Sequence, residues 1–143
     1  MPLMLAGLGK KPCKMITLYK KVNCNAVIDG YEREFAQVML NLISNAKDIL
    51  NQREIPNPRI DVVIDVKDKN VIVTVQDNAG GVEDEHLDLI FEPYFTTKES
   101  SKGTGLGLYM SKMIIEKNMN GELTVENTNS GALFTVIVEM DNG

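Results

Sequence analysis

The most constraining feature of the sequence is a glycine-rich stretch that runs directly into an amphipathic segment. Lys98–Tyr109 reads KESSKGTGLGLY, with alternate glycines at positions 103, 105 and 107. Glycines at this spacing let a backbone turn through positive φ and approach a ligand closely. The apolar residues that follow recur at helical spacing and end near Asn120-Gly121, a typical helix C-terminus. The stretch therefore predicts a loop that leads into a helix.

A loop of this kind suits an anion. Free N–H groups and the dipole at a helix N-terminus favour phosphate, and Lys98 and Lys102 add positive charge beside the glycines. The stretch is not a Walker loop, because no Lys-Ser or Lys-Thr follows the glycines, and no strand precedes it as in a dinucleotide fold. On these residues alone, a connection without a ligand remains the alternative.

Composition and charge narrow the class of protein. A chain of 143 residues suits a single domain with one core. The net charge of -5, with no basic block, argues against nucleic acid as a partner but not against a nucleotide. Cys13 and Cys24 lack metal-ligand spacing and predict free thiols in a reducing, cytoplasmic compartment.

The first residues differ from the rest of the chain. MPLMLAGLGKK is apolar and then basic, the reverse of a signal peptide, and its apolar part is too short to span a bilayer. We expect residues 1–13 to be an N-terminal stub, the remnant of a helix or the boundary of a fragment, and residues 14–140 to form the domain. No direct membrane insertion by this chain is expected.

Hydrophobic periodicity predicts about six strands and two long helices, with the helices on one side of a mixed sheet. The long helix is predicted over Tyr31–Gln52. The strands are predicted over residues 14–22, 26–28, 60–66, 71–75, 122–126 and 132–139. A short helix is predicted over 83–90, within a segment from Val82 to Gly103 that has little regular structure and the length of a functional lid.

Two polar features stand out within these elements. On the long helix, Asn41 and Asn45 lie one turn apart among apolar neighbours, and asparagine is a poor helix-interior residue, which indicates a pocket. Asp48, on the same stripe, fits a pocket or a solvated face equally well. Asp77, at the end of a strand and before Gly80-Gly81, is typical of a ligand-binding corner, with a simple turn as the alternative.

Four stretches in one order resemble a known family. NLISNAKD (41–48), DNAGGV (77–82), FEPYFTTK (91–98) and GTGLGL (103–108) are similar to the N, G1, F and G2 boxes of the ATP-binding catalytic domain of sensor histidine kinases, most like the nitrogen-regulator type. This domain belongs to the wider group of gyrase, heat-shock chaperone and mismatch-repair ATPases. The resemblance implies an α+β fold of Bergerat type: a two-layer sandwich whose mixed, mostly antiparallel sheet carries helices on one face and an ATP lid.

The resemblance also implies roles for residues. Asn45 would coordinate Mg²⁺, and Asn41 occupies the position of a catalytic glutamate in the gyrase-like ATPases, so fast ATP hydrolysis is not expected. Asp77 would accept a hydrogen bond from the adenine amino group, with Gly81 giving close approach although Ala79 replaces a glycine. The other residues implied in ATP binding are Asp48, Lys98, Lys102, Gly103, Thr104, Gly105, Leu106, Gly107 and Leu108. The implied catalytic residues are Asn41, Asn45 and Lys98, and Phe91 and Phe95 would anchor the lid.

The implied function is a protein-histidine kinase domain that binds Mg-ATP and donates the γ-phosphate to a histidine. The acceptor would lie on a dimerisation domain of a longer, possibly membrane-anchored kinase, since His86 is the sole histidine here and lacks the acceptor context. A response regulator would be an indirect partner, and no self-phosphorylation is expected. Two alternatives stay open: a gyrase- or chaperone-like ATPase module, and a non-catalytic nucleotide-binding module.

Overall fold

A computed structural model describes residues 2–4, 15–22, 32–95 and 106–139. The strands are β1 (Pro2–Met4), β2 (Met15–Val22), β3 (Arg59–Lys67), β4 (Asn70–Asp77), β5 (Glu122–Asn127) and β6 (Ala132–Glu139). The long helix is α1 (Glu32–Gln52), and the second helix begins as α2 (Gly107–Met113) and continues as a π-helical segment, Ile114–Asn118. No helix within these ranges is long and apolar enough to cross a membrane.

The strands form one six-stranded sheet in the order β1-β2-β3-β4-β6-β5. Among these strand pairs, β2–β3 is parallel and the other four are antiparallel. Burial alternates along β4 and β6, so that one face of the sheet is covered and the other is partly solvated. The buried apolar residues on these two strands are Val71, Val73, Val75, Ala132, Phe134, Val136 and Val138. The predicted mixed, mostly antiparallel sheet is confirmed.

Helix α1 packs on the covered face because its apolar residues recur at steps of three and four. Val38, Leu42, Ala46 and Leu50 are all fully buried. The helix ends in a Schellman motif in which Glu54 takes a positive φ of 51°. The N–H of Glu54 donates to the Asn51 carbonyl and that of Ile55 to the Leu50 carbonyl, both at 3.2 Å. This cap fixes Arg53 at the end of the helix, beside the sheet.

The second helix lies next to α1 and β5 and completes the helical layer. Its predicted C-terminus is confirmed: Asn120 has a φ of 55°, and the Gly121 N–H donates to the Ile115 carbonyl at 2.8 Å. The predicted two-layer sandwich with helices on one face is therefore the observed architecture.

Three predictions of local structure have other outcomes. The prediction of a helical remnant is wrong for Pro2–Met4. These residues form an extended edge strand paired antiparallel with Met15–Thr17. The short helix over 83–90 is reduced to one 3-10 turn, Asp84–His86, followed by further turns, because Pro93 and the preceding polar residues give no sustained periodicity. The predicted strand over 26–28 lies outside the described residues.

Candidate functional site

The carboxylate of Asp77 is the buried acidic group at the end of β4. Its side chain is 4% exposed, and Oδ1 accepts hydrogen bonds from the N–H groups of Ala79 at 2.9 Å and Ala132 at 3.3 Å. Gly131 packs so closely that a Cβ there would collide with the Asp77 carbonyl oxygen. The two hydrogen bonds, from the next loop and from β6, fix the carboxylate, and both of these described bonds are accepted by Oδ1.

Burial raises the pKa of Asp77 above its ordinary value, because an apolar environment disfavours the carboxylate. Three weaker influences lower this pKa: the N–H groups of Ala79 and Ala132, and the positive charge of Arg53. The carboxylate is thus desolvated and compensated by a few fixed groups. Such a group forms a strong, directional hydrogen bond with any N–H donor that enters.

The loop after Asp77 is held by a side chain that follows α1. One terminal nitrogen of Arg53, Nη1, donates to the Ala79 carbonyl at 2.8 Å and to the Gly81 carbonyl at 2.7 Å. Gly80 and Gly81 in this loop have φ values of 99° and 93°, which L side chains rarely adopt. The guanidinium therefore stabilises two carbonyls of a loop that depends on a left-handed pair of glycines. We name Asp77–Val82 the glycine corner.

The other side of the glycine corner is held by Asn127 at the end of β5. Its Oδ1 accepts from the Val82 N–H at 2.8 Å, and its Nδ2 donates to the Val82 carbonyl at 2.7 Å. A Cβ on Gly81 would lie 2.7 Å from Asn127 Oδ1. Glycine is therefore needed at position 81 for its φ and for this amide, whatever approaches from the solvent side.

Ala79 stands where the G1 box usually has a glycine, and it fits without strain. It is 4% exposed and lies in the hydrophobic core. It is not among the described residues with a positive φ, so its methyl group meets no conformational penalty. The departure gives no structural reason to doubt a ligand at the corner.

Asn41 contacts the start of α2. Its Nδ2 donates to the Gly107 carbonyl at 3.3 Å and to Ser111 Oγ at 3.1 Å, and its Oδ1 accepts from Gln37 Nε2 at 2.9 Å. Ser111, which is fully buried, donates in turn to the Gly107 carbonyl at 2.8 Å. The amide of Asn41 therefore joins the two helices, a role that its position on a polar stripe did not reveal.

The remaining predicted site residues lie further along α1 and in the glycine-rich stretch. Asn45 is partly buried, and no hydrogen bond of its side chain is described within the ranges above. Asp48 Oδ1 lies 4.0 Å from Lys47 Nζ. Of the glycine-rich stretch, Leu106, Gly107 and Leu108 form the cap and first turn of α2. Lys98, Lys102, Gly103, Thr104 and Gly105 lie outside the described residues.

The segment that ends at Phe95 packs against the core through aromatic rings. Phe91 meets Phe134 edge-on at 6.2 Å between ring centroids, and Lys112 Nζ lies 4.6 Å from the Phe91 centroid. Phe95 meets His86 edge-on at 5.2 Å. His86 is partly buried by this contact. Its Nδ1 lies 3.9 Å from Glu83 Oε2, and its Nε2 lies 3.9 Å from Glu85 Oε1. Phe91 and Phe95 are therefore packed against the core, and their role in anchoring a lid stays a prediction, because residues 96–105 lie outside the described residues.

Sequence reasoning missed Arg53, Asn127 and Ser111 as supports of the site. Arg53 comes directly after the apolar repeat of α1 and is not part of it, and Asn127 looks like an ordinary turn residue in the sequence. The available signal was the pair of carbonyls that a Gly-Gly corner leaves without strand partners, which requires donors from elsewhere.

Comparison with known proteins agrees with this geometry. Residues 30–142 match the family described as histidine kinase-, DNA gyrase B-, and HSP90-like ATPase. The two-component sensor PprA of Pseudomonas aeruginosa is 42% identical over 117 residues, 77% of this chain and 12% of that protein. An NtrY-like sensor histidine kinase of Rickettsia conorii is 41% identical over 101 residues, 70% of this chain and 16% of that protein. The chain spans only a small part of the length of these relatives.

Solved structures share the fold. The catalytic domain of the histidine kinase ThkA has a TM-score of 0.76 at 27% identity, covering 87% of this chain and 78% of that one. ThkA in complex with the response regulator TrrA has a TM-score of 0.71 at 24% identity, covering 88% of this chain and 34% of that one. The predicted resemblance is confirmed: the chain belongs to the histidine kinase-, DNA gyrase B- and HSP90-like ATPase family and has the fold of a sensor histidine kinase catalytic domain.

Proposed function

We propose that residues 14–140 bind Mg-ATP and act as the catalytic domain of a sensor histidine kinase. The γ-phosphoryl group passes to a histidine on a separate dimerisation domain. The bond from the γ-phosphorus to the β,γ-bridging oxygen breaks, a bond to the acceptor imidazole nitrogen forms, and ADP leaves. The domain contributes positioning and charge stabilisation, because this transfer needs little covalent chemistry from the protein.

The observation that carries the proposal is the carboxylate of Asp77. It is buried, oriented by two backbone N–H groups on Oδ1, and lies at the rim of the glycine corner. A desolvated carboxylate in this setting accepts one N–H of an exocyclic amino group, as adenine offers, and rejects the carbonyl that guanine has at the same place. Family membership and this acceptor together favour ATP as the ligand.

The residues present also fit a magnesium ion. An amide oxygen is a hard-cation ligand, and Mg²⁺ in phosphate sites takes one or two protein ligands with waters and phosphate oxygens. Asn45 offers such an oxygen on the polar stripe of α1 and is partly buried. We assign it as the metal ligand, Asp48 as an ATP contact on the same stripe, and Lys98, Lys102 and the Gly103–Leu108 backbone as the phosphate contacts. When bound, such an ion would neutralise part of the phosphate charge.

The contacts of Asn41 favour a kinase over a fast ATPase. An amide is not a base, and this one is already engaged with Gly107 and Ser111. The acceptor histidine is expected outside this domain, because His86 packs against Phe95. The proposed partners are a histidine-bearing dimerisation domain and, indirectly, a response regulator.

The test is calorimetric titration of ATP, with and without magnesium, on the native chain and on Asp77→Asn. Loss of a hydrogen bond to a charged group is expected to weaken ATP binding by about 1.5–3 kcal/mol, roughly 10- to 150-fold. Asn can still accept the two backbone N–H groups, so the corner is expected to stay folded.

Stability measured in parallel separates binding from folding. Because the folded-state pKa of Asp77 is raised, its contribution to stability is complete below the unfolded pKa and is lost as pH rises through the folded value. Asp77→Asn has no such loss, so its melting temperature at pH 7 should equal or exceed the native one. Asp68→Asn, at the opposite end of the β3–β4 hairpin, is the matched control. Native ATP binding that Asp77→Asn leaves unchanged would refute this assignment of the base.

A further inference from the structure

We propose that Arg53 is a positioning residue of the nucleotide site. Its guanidinium holds the glycine corner in the binding conformation, and it thereby sets both the affinity for ATP and the preference for adenine. This inference rests on the proposed function, because it takes the glycine corner to be the place where the base binds.

The geometry of the contact supports this role. Arg53 is the last residue before the left-handed Glu54 of the Schellman motif, and its own N–H still donates to the Ile49 carbonyl at 3.0 Å. Its backbone is therefore fixed by a helix whose apolar face is buried from Val38 to Leu50. Its side chain reaches across to the end of β4 and donates to the carbonyls of Ala79 and Gly81 at 2.8 and 2.7 Å.

The two carbonyls need such a donor. Within the corner, the Gly80 N–H donates to the Ser130 carbonyl at 3.1 Å, and both groups of Val82 pair with Asn127. For the Ala79 and Gly81 carbonyls, Arg53 is the partner that the described residues provide. Without Arg53, the carbonyls of Ala79 and Gly81 would be left to water. The glycine pair, which has high conformational entropy, would then sample other conformations.

The same guanidinium acts on the carboxylate. Its positive charge favours the ionised form of Asp77 against the penalty of burial. The other groups facing Asp77 are backbone N–H groups from Ala79 and Ala132, which carry no titratable charge. Arg53 is therefore the charged side chain that offsets the desolvation of Asp77 in the described part of the chain.

A corner that is formed for only a fraction of the time binds with a Kd raised by the inverse of that fraction. The experiment compares the native chain with Arg53→Met, which keeps an apolar stem but removes the donors and the charge. We expect the Kd for ATP to rise about tenfold, which corresponds to a corner formed for about a tenth of the time. GTP, which gains little from Asp77, should be affected far less, so that the ATP-to-GTP preference falls by a similar factor.

Two further readouts distinguish positioning from general destabilisation. The loss of ATP affinity on acidification should begin at a higher pH in Arg53→Met, because the pKa of Asp77 rises further when the guanidinium is absent. Arg53→Lys keeps the charge with a shorter reach. It should restore the native pH profile but recover the Kd only in part, to about threefold above native. Arg33→Met, an exposed arginine at the other end of α1, is the control and should bind as the native chain does.

The outcomes are separable. Native-like ATP affinity, base preference and pH profile in Arg53→Met would overturn the inference and leave the proposed function standing. An equal loss for ATP and GTP in both Arg53 variants, with an unshifted pH profile, would also overturn it. Failure of the native chain to bind ATP would refute the proposed function, and this inference with it.

Discussion

The bond between Asn41 and the start of α2 can be tested with an isosteric change. Asn41→Asp keeps the oxygen that accepts from Gln37, but it replaces the amide nitrogen with a second oxygen. Two donated hydrogen bonds are lost, to the Gly107 carbonyl at 3.3 Å and to Ser111 Oγ at 3.1 Å. In addition, a negatively charged oxygen then faces the Gly107 carbonyl.

The expected magnitude follows from these contacts. Each lost hydrogen bond is worth about 0.5–1.5 kcal/mol, so the two together give about 1–3 kcal/mol. Rotation of the Ser111 hydroxyl toward the new carboxylate recovers part of this at the expense of its own bond to Gly107. A destabilisation of about 2 kcal/mol remains and corresponds to a fall in melting temperature of about 6–10 °C for a domain of this size.

Thermal unfolding followed by circular dichroism at pH 7 and at pH 4 provides the assay. The carboxyl group introduced by Asn41→Asp can donate again once it is protonated, so the difference from the native chain should narrow as pH falls toward the ordinary carboxyl pKa of about 3.9. Asn41→Ala separates the lost donors from the added charge, and a double-mutant cycle with Ser111→Ala isolates the coupling between the two side chains. An Asn41→Asp variant as stable as the native chain at pH 7 would refute the view that this amide joins the helices.

Two further variants test the corner and the metal. Gly81→Ala should lose about 2–4 kcal/mol of stability in thermal unfolding, because a φ of 93° strains an L residue and its Cβ would lie 2.7 Å from Asn127 Oδ1. Gly107→Ala is the control, because its Cβ would meet only Asn41, at 4.0 Å, among the described residues. Its melting temperature should be no lower than that of the native chain. Equal melting temperatures of the two alanine variants would contradict the predicted strain at position 81. Asn45→Ala should abolish most of the gain in ATP affinity on adding magnesium in calorimetry, while leaving metal-free binding unchanged; an intact magnesium effect would remove Asn45 as the ligand.

Much of the fold could be predicted because local pattern and global packing agree. The face of α1 repeats at the helical period. The β4 segment is rich in valine and isoleucine and leads directly to Asp77, so both elements and the acidic residue at the strand end could be recognised in the sequence. The edge strand Pro2–Met4 could not be predicted, since three residues are too few for a period and their pairing with β2 decides their conformation.

The supports of the site could not be predicted because they join distant parts of the chain. Arg53 and Ala79 are 26 residues apart, Val82 and Asn127 are 45 apart, and Asn41 and Ser111 are 70 apart. Each contact depends on side-chain reach across elements whose relative placement is set by the core. A sequence motif identifies residues expected to contact the ligand, whereas the residues that support them are determined by how the elements pack.

Asn41 and Arg53 give α1 a structural role that the sequence motifs do not indicate. At one point the helix holds the beginning of α2 through Asn41, and about 18 Å further along, at its C-terminal end, it holds the glycine corner through Arg53. Leu42, Ala46 and Leu50, between them, are fully buried and fix the helix on the sheet. The proposed base subsite and the start of the proposed phosphate subsite are therefore attached to one rigid element. Their separation is set by helix length rather than by the loops that join them, so a nucleotide meets a spacing that exists before it binds.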